Sequence, residues 1–465
     1  MLDDLHDADV AIGVARKLAE AAARYQAPDN SDLIQAARMA VLDTVGCMIA
    51  GAQEEATIGV ATLSHNLPGY CTIFGRGTTC SAPDAALING TSAHALDFDD
   101  ACTTVLGHTS AVLVPALISL AEAENLSGAA LVDAFIVGVE VQDRLGRIFN
   151  PEHYAAGWHS TSTLCTLGAA AGCAHLLGLG AEGILGAISN GFSAAGGSKK
   201  QIGSPLKPIH AGLAARAAVE AALLARVGIS GDEEPLAGVW GMLRQYGANP
   251  SAARVGQAMD NLQIGRALSD GVLQTKRFPS CAATHKTLDG VLRLRNMYNL
   301  DPACVALIET WVPADLAANL RYHHPATIGQ ARFSMAYCAT RVLDTGGLQL
   351  GDFTTDALAQ FGTPETLSKV RMFAVQNGDD PMGMPVRTRI TLTSGEQFET
   401  TIVHTRGGAE CPLGSDEIFE KFINCCVFSG CSQEEARAWG ALITALPEAD
   451  GTRKVMAGLR QSTPE

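Results

Sequence analysis

The sequence predicts a mainly α protein: a large all-helical domain formed by both chain ends, with a smaller α+β lid domain between them. Three observations predict it. Apolar residues recur at helical spacing from Val10 to about Ala225, and that spacing returns from Ser415 onward. Between these regions, after about Ser269, short alternating runs appear. The chain of 465 residues also exceeds the length at which one core usually keeps growing. We place the helical domain at 1–268 and 408–465 and the lid at 269–407.

The elements follow in order. Residues Asp32 to Gly46 repeat apolar positions behind a Ser31 cap. Leu117–Ala123, Gly128–Val141, Leu164–Leu177 and Gly212–Arg226 read as further helices, punctuated by glycine. The apolar run Leu164–Leu179 is shorter than a bilayer span and contains His175, so it reads as a core helix. In the second region Val305–Val312 and Lys369–Val375 read as strands, and Arg387–Thr393 and Gln397–His404 as a hairpin turning at Ser394-Gly395. Helices over Thr284–Met297 and Thr327–Val342 interrupt these strands, and Asp416 opens the returning helical segment.

Composition narrows the function classes. Hydrophobic residues make up 47% and charged residues 17%, as in a large, well-buried protein. Aromatics are only 5% while Ala and Gly abound, which lets helices approach closely. The net charge of −15 argues against nucleic acid or an anionic membrane as partner, so an anion site must be built from a local cation cluster. The 13 cysteines are scattered, with no C-x-x-C and no zinc or iron–sulfur spacing; they read as free thiols. The acidic start lacks the basic and apolar regions of a signal peptide. The expectation is a soluble, cytoplasmic protein.

Chemistry concentrates in His94–Pro115, where Asp97, Asp99, Asp100, His94 and His108 precede an apolar helix. Acids and imidazoles this dense are costly to bury unless they form a polar pocket. Three more helix starts carry a cation or imidazole: His159 before Leu164, Lys207 and His210 before Gly212, and Lys276 with Arg277, Cys281 and His285 before Leu288. Free amides at a helix start favour carboxylates. Taken singly, each histidine reads as easily as a cap or core residue, and Asp99 and Asp100 as structural. Cys281 and His285 could form a thiol–imidazole couple, which leaves a thiol-dependent hydrolase open. Gly191–Lys200 is glycine-rich without P-loop spacing and reads as a mobile loop lining a pocket, with Lys200 as a carboxylate ligand. His323-His324 beside Tyr322 do not make a metal site.

Asn89–Asp100 followed by Gly107-His108-Thr109-Ser110 resembles the signature of the MmgE/PrpD family, which includes 2-methylcitrate dehydratase, cis-aconitate decarboxylase and iminodisuccinate epimerase. Gly157–Thr161, Lys207–Gly212, Arg277–Cys281 and Pro412–Phe422 extend the resemblance over almost the whole chain. It implies a homodimer with a cofactor-free site between the domains, acting on small di- or tricarboxylic acids. By position it makes Asp97, His108, His159, Lys207 and Lys276 site residues. Cys281 stands where animal decarboxylases carry a histidine, and the site tyrosine falls one position off, at Tyr322. Both features, with the Gly157–Leu164 run, are closer to the epimerase.

These parts could remove a proton α to a carboxylate: Lys207 and Lys276 hold carboxylates, His108 or His159 acts as base, and Asp97 orients a histidine. Tyr322 and Cys281 could donate a second proton, with Arg277, His285 and Lys200 binding substrate. The expected activity is that of a lyase, a dehydratase or decarboxylase. An epimerase of an amino-dicarboxylate and a non-catalytic carboxylate-binding relative are the alternatives.

Overall fold

The computed structural model describes residues 10–26, 31–63, 68–376 and 381–460. These residues are mainly helical, with two short two-stranded ladders and one four-stranded sheet. The acidic start before Val10 lies outside the described residues, and so does the Ser31 side chain on which the expected cap rests.

The larger hydrophobic core draws on residues from Ala11 to Val272 and again from Ile418 to Leu459, so both chain ends build it. The helix Ser31–Gly51 contains a stretch long and apolar enough to cross a bilayer, and 72% of that window is buried in the fold. Leu164–Leu176 is buried along nearly its whole length, as its apolar run predicts.

One helix crossing sets the position of the site. Ala82–Ala95 packs against Leu206–Arg226 at Gly90 and Gly212. A Cβ on Gly212 would lie 2.2 Å from the Leu87 carbonyl oxygen, and one on Gly90 would lie 2.9 Å from the Gly212 Cα. Only glycine permits this approach. The second helix begins at Leu206 rather than Gly212, so Lys207 and His210 lie in its first turns instead of ahead of it. Pro208 does not prevent this, because amides of a first turn have no intrahelical acceptor to lose.

A smaller core runs from Phe278 to Ile390. Its sheet has the order Val370–Val375, Val305–Pro313, Val386–Leu392, Gln397–Ile402; the first two strands are parallel and the remaining pairs antiparallel. The helices Ala282–Tyr298 and Met335–Thr345 pack on it. The single helix expected over Thr327–Val342 is instead two, Ile328–Ala331 and Met335–Thr345. The break has a cause. The Arg332 carbonyl accepts from the Cys281 amide, and the Ser334 hydroxyl caps the second helix by accepting from the Tyr337 amide.

Two small strand pairs escaped the sequence pattern. Cys71–Ile73 pairs with Thr78–Cys80 through a turn with Gly75 and Gly77 at positive φ. Ala101–Cys102 pairs with Leu273–Gln274, which ties the acidic turn to the segment leading to Lys276. A minor cluster of Cys47, Ala50, Leu96, Phe98, Leu350 and Cys425 fills the space beneath that turn.

Candidate active site

The site grows out of the C-terminal end of Ala82–Ala95. Asp97 leaves that helix in the left-handed region, φ 52°, which costs a non-glycine residue about 1–3 kcal/mol unless its surroundings hold it. They do hold it. Lys276 Nζ donates to the Asp97 carbonyl oxygen at 2.8 Å and stands 3.4 Å from Oδ1. Lys207 Nζ donates to the same Oδ1 at 2.6 Å. All three side chains are buried. Burial opposes a charge on Asp97, but the Lys207 and Lys276 ammonium groups outweigh it and hold the carboxyl below its usual range.

Asp99 is the partner of the histidines. Its Oδ2 accepts from His94 Nδ1 at 2.9 Å and lies 3.1 Å from His108 Nδ1. Burial again opposes the charge, yet these two imidazoles hold the Asp99 carboxyl well below normal. Asp99, expected as a structural residue, thus contacts both histidines, while Asp97, expected to orient a histidine, meets the two lysines instead. Asp97 Oδ1 lies 3.9 Å from His108 Nε2, beyond hydrogen-bond reach, because the two lysines have claimed it. Asp100 does take the structural part. Its Oδ1 accepts from the Ser110 amide at 3.2 Å and its Oδ2 from the Ser110 hydroxyl, at the start of Ser110–Glu124.

The tautomer of His108 follows from its neighbours. Nδ1 faces two acceptors, Asp99 Oδ2 and the Asp100 carbonyl oxygen at 2.8 Å, so Nδ1 carries the hydrogen. Burial pushes the imidazole below its ordinary value, so at neutral pH the Nε2 lone pair is free. His159 is held differently: its Nδ1 meets His210 Nδ1 at 3.1 Å, and burial with Lys207 keeps it well below normal. Its ring stacks 5.8 Å from that of His94.

Two cavities flank this cluster. One is a cleft of about 710 Å³ reaching His94, Asp97 and Lys207 between the two hydrophobic cores, with Arg332 and Phe333 on its far wall. The other is smaller and lined by His108, Tyr154, Cys281, Asp315 and Asn319. Cys281 is the N-cap of Ala282–Tyr298, and burial pushes its thiol up to about 11, so it presents a neutral S–H. The Asn319 amide donates to the Tyr154 hydroxyl at 2.9 Å. Sequence reasoning missed both Tyr154 and Asn319; no motif marks them.

Of the ten site residues expected from the sequence, the structure gathers Asp97, His108, His159, Lys207 and Lys276 into one cluster and sets Cys281 on the adjoining cavity. His285 is buried behind it, with Nε2 against the Ser280 carbonyl oxygen at 3.2 Å. Tyr322 stands outside the cluster, its hydroxyl donating to the Ile202 carbonyl at 2.8 Å. Arg277 pairs with Asp289 at 3.1 Å on a partly exposed face. Lys200 is exposed; its backbone carbonyl accepts from Arg321. The glycine-rich segment is only partly a loop, since Gly191–Ala194 belongs to the helix Gly180–Ala194.

His94, Asp97, Asp99 and His108 offer four ligand atoms within 4.8 Å of one another. The Lys207 and Lys276 ammonium groups already stand against Asp97 on that side, where a metal ion would meet like charge.

This much buried histidine makes stability fall with acid. Burial lowers His94 and His285 to about 3 and His153 to about 4, all below the unfolded value. In the unfolded chain these imidazoles bind protons as pH falls below 6.5, and in the native state they do not until far lower. Asp100, raised to about 7 by burial, acts the opposite way and offsets one proton. Around pH 5 the unfolded state therefore binds about two more protons from these four groups, a slope of about 3 kcal/mol per pH unit. Urea unfolding at a series of pH values around 5 measures it; a flat profile would contradict the assignment.

The MmgE/PrpD N-terminal domain model matches residues 16–254 and the MmgE/PrpD C-terminal domain model residues 278–443. The cis-aconitate decarboxylase of Homo sapiens is 28% identical over 416 residues, covering 84% of this chain and 82% of that protein. The Mus musculus protein of the same description is 28% identical over 415 residues, with the same coverage of 84% and 82%. A cis-aconitate decarboxylase-like protein of Aspergillus oryzae is 24% identical over 426 residues, 84% of this chain and 86% of its own length. The two models cover most of the sequence and divide it near the point where one hydrophobic core gives way to the other, so the chain belongs to the MmgE/PrpD family.

Proposed function

We propose that the protein is a lyase that decarboxylates a small unsaturated polycarboxylate of the cis-aconitate kind, without a cofactor. The observation that carries this reading is the buried Lys207–Asp97–Lys276 group next to a neutral His108 whose Nε2 is free. Its likeness to cis-aconitate decarboxylases over 84% of the chain supports the choice of reaction. Lys207 and Lys276 neutralise substrate carboxylates and take up negative charge that develops on the carbon framework. When the C–CO2 bond breaks, its electron pair moves into the framework and a proton must reach carbon. His108 Nε2 can accept a proton from one carbon and return it to another, and the Cys281 S–H is a second proton source.

The residues contributed by the smaller core, Cys281 and Arg332 among them, would then act as the wall of a lid over the larger body. All 13 cysteines are free, which suits a reducing compartment such as the cytoplasm. We assign a homodimer by family likeness.

Epimerisation is the second reading, because His108 lies in the stretch of chain that builds the larger core, Cys281 in the stretch that builds the smaller one, and both line one cavity. Proton transfer to opposite faces of a carbon needs such a pair. Proton NMR in D2O with cis-aconitate, citrate, methylcitrate and iminodisuccinate separates the readings. The expected result is CO2 release with deuterium incorporation from cis-aconitate. Deuterium exchange without loss of CO2 or water would overturn the lyase assignment.

A further inference from the structure

The charge balance of the cluster leaves something for the substrate to meet. Lys207 and Lys276 contribute two positive charges, and Asp97 and Asp99 two negative ones. His94, His108 and His159 are held in the neutral form by burial. The inner cluster is therefore electrically neutral and cannot by itself balance a substrate with several carboxylates. Arg332 on the wall of the larger cleft is already paired with Glu54 at 3.3 Å, and Asp315 adds a carboxylate to the smaller cavity, so a further cation is needed at the edge of the cavity.

Lys199 is placed to supply it. The segment that carries it is fixed on both sides: the His159 amide donates to the Gly197 carbonyl at 3.0 Å, and the Lys199 amide donates to the Gly157 carbonyl at 2.9 Å. Ser198 forms a bridge with Trp158 between these two bonds. Lys199 is thereby locked to the strand-like run that delivers His159. Its side chain turns over Tyr154, with Nζ 3.3 Å from the ring centroid and 3.2 Å from the Tyr154 carbonyl oxygen. Tyr154 lines the cavity that holds His108 and Cys281. The ammonium thus rests on a ring face and a carbonyl dipole, neither of which carries a net negative charge, while the Asp315 carboxylate acts on it through space. Burial lowers Lys199 to about 8, which still leaves it protonated at neutral pH.

We propose that Lys199, with the ring of Tyr154 as its platform, binds the third carboxylate of a tricarboxylate substrate and so sets the specificity of this site for tricarboxylates over dicarboxylates. Lys207 and Lys276 then serve the carboxylates next to the reacting carbons. The inference rests on the function proposed above for the cluster that these two cavities flank. It also explains why the neighbouring Lys200, exposed and with its backbone carbonyl engaged by Arg321, does not take that part.

The test uses two inert ligands, so that binding is read apart from turnover. Tricarballylate has three carboxylates and no double bond; glutarate has the same chain without the middle carboxylate. Calorimetric titration of the full-length protein is expected to show Lys199→Met weakening tricarballylate by about tenfold or more, as for loss of a charged hydrogen bond, and glutarate by less than about threefold. Lys199→Arg should restore most of the affinity, and Lys454→Met, at an exposed lysine of the helix Thr452–Ala457, should match the unaltered protein. With cis-aconitate, Lys199→Met should raise KM while kcat stays within about threefold. Equal loss for both ligands, unchanged tricarballylate affinity, or no tricarballylate binding by the unaltered protein would each overturn the inference. Absence of CO2 release from cis-aconitate, with the binding pattern intact, would instead overturn only the proposed reaction.

Discussion

Replacing Lys207 with methionine is expected to lower turnover by about 10³-fold, the scale on which loss of one preorganised charge-stabilising group is felt. The structure adds a second effect. Lys207 Nζ lies 2.6 Å from Asp97 Oδ1, and both side chains are nearly inaccessible to solvent. Removing one partner of such a buried pair costs about 3–5 kcal/mol, because the other charge remains without its neighbour. Lys276, at 3.4 Å from the same oxygen, offsets part of this. Lys207→Met should therefore fold, but with a lowered urea midpoint. The double variant Lys207→Met/Asp97→Asn should recover much of the stability and none of the activity. Turnover of the single variant within tenfold of normal would remove Lys207 from the mechanism.

Loss of the His108 imidazole is the other large effect. His108→Gln should reduce kcat by about 10²–10⁴-fold, the usual contribution of a positioned acid–base group. The fold should survive, since His108 lies at the edge of a cavity and not within either apolar core. Asp99 supplies the contrast. It touches Nδ1, the nitrogen turned away from the reaction, so Asp99→Asn should act through the orientation and basicity of the ring. A loss of about 10–100-fold, with the acid limb of the kcat profile moved to lower pH, is expected of such a supporting group. The sign follows from Asp99 raising the proton affinity of His108, so its removal lets the imidazole lose its proton more readily. An unchanged acid limb would leave Asp99 a structural residue.

The fold was legible wherever burial imposes a period. The long helices and the hairpin of Val386–Leu392 and Gln397–Ile402 stand where alternation and helical spacing place them. What the pattern concealed was decided by distant partners. The break between Ile328–Ala331 and Met335–Thr345 depends on a backbone bond to Cys281, which no local window contains. The ladder of Ala101–Cys102 with Leu273–Gln274 is too short to have a period of its own. The hairpin at Gly75 and Gly77 could have been found, because two glycines sit between β-branched threonines and an isoleucine.

The site divides in the same way. Clustered charge and imidazoles at helix starts marked the segments, and the family resemblance picked out Asp97, His108, His159, Lys207 and Lys276 within them. The ranking of the three aspartates was invisible, because it depends on the positive φ at Asp97, which turns that carboxyl toward the lysines and leaves Asp99 to the histidines. Lys199 and Lys200 are adjacent and identical in type. Only the bond from the Lys199 amide to Gly157, fixing which side chain faces Tyr154, tells them apart.

The acidic turn also has a support from far along the chain. Lys421, in the helix Ser415–Phe428, donates to the Phe98 carbonyl at 2.7 Å and pairs with Asp43 at 2.7 Å. Phe98 stands between Asp97 and Asp99, so the residue that braces the reacting cluster comes 323 positions after it. During synthesis on a ribosome, Asp97, His108, His159, Lys207 and Lys276 all emerge before Lys421. A nascent chain paused anywhere before that helix holds every proton-handling group and lacks the brace for its turn. The brace at Phe98 thus forms only after residue 421 has joined the chain.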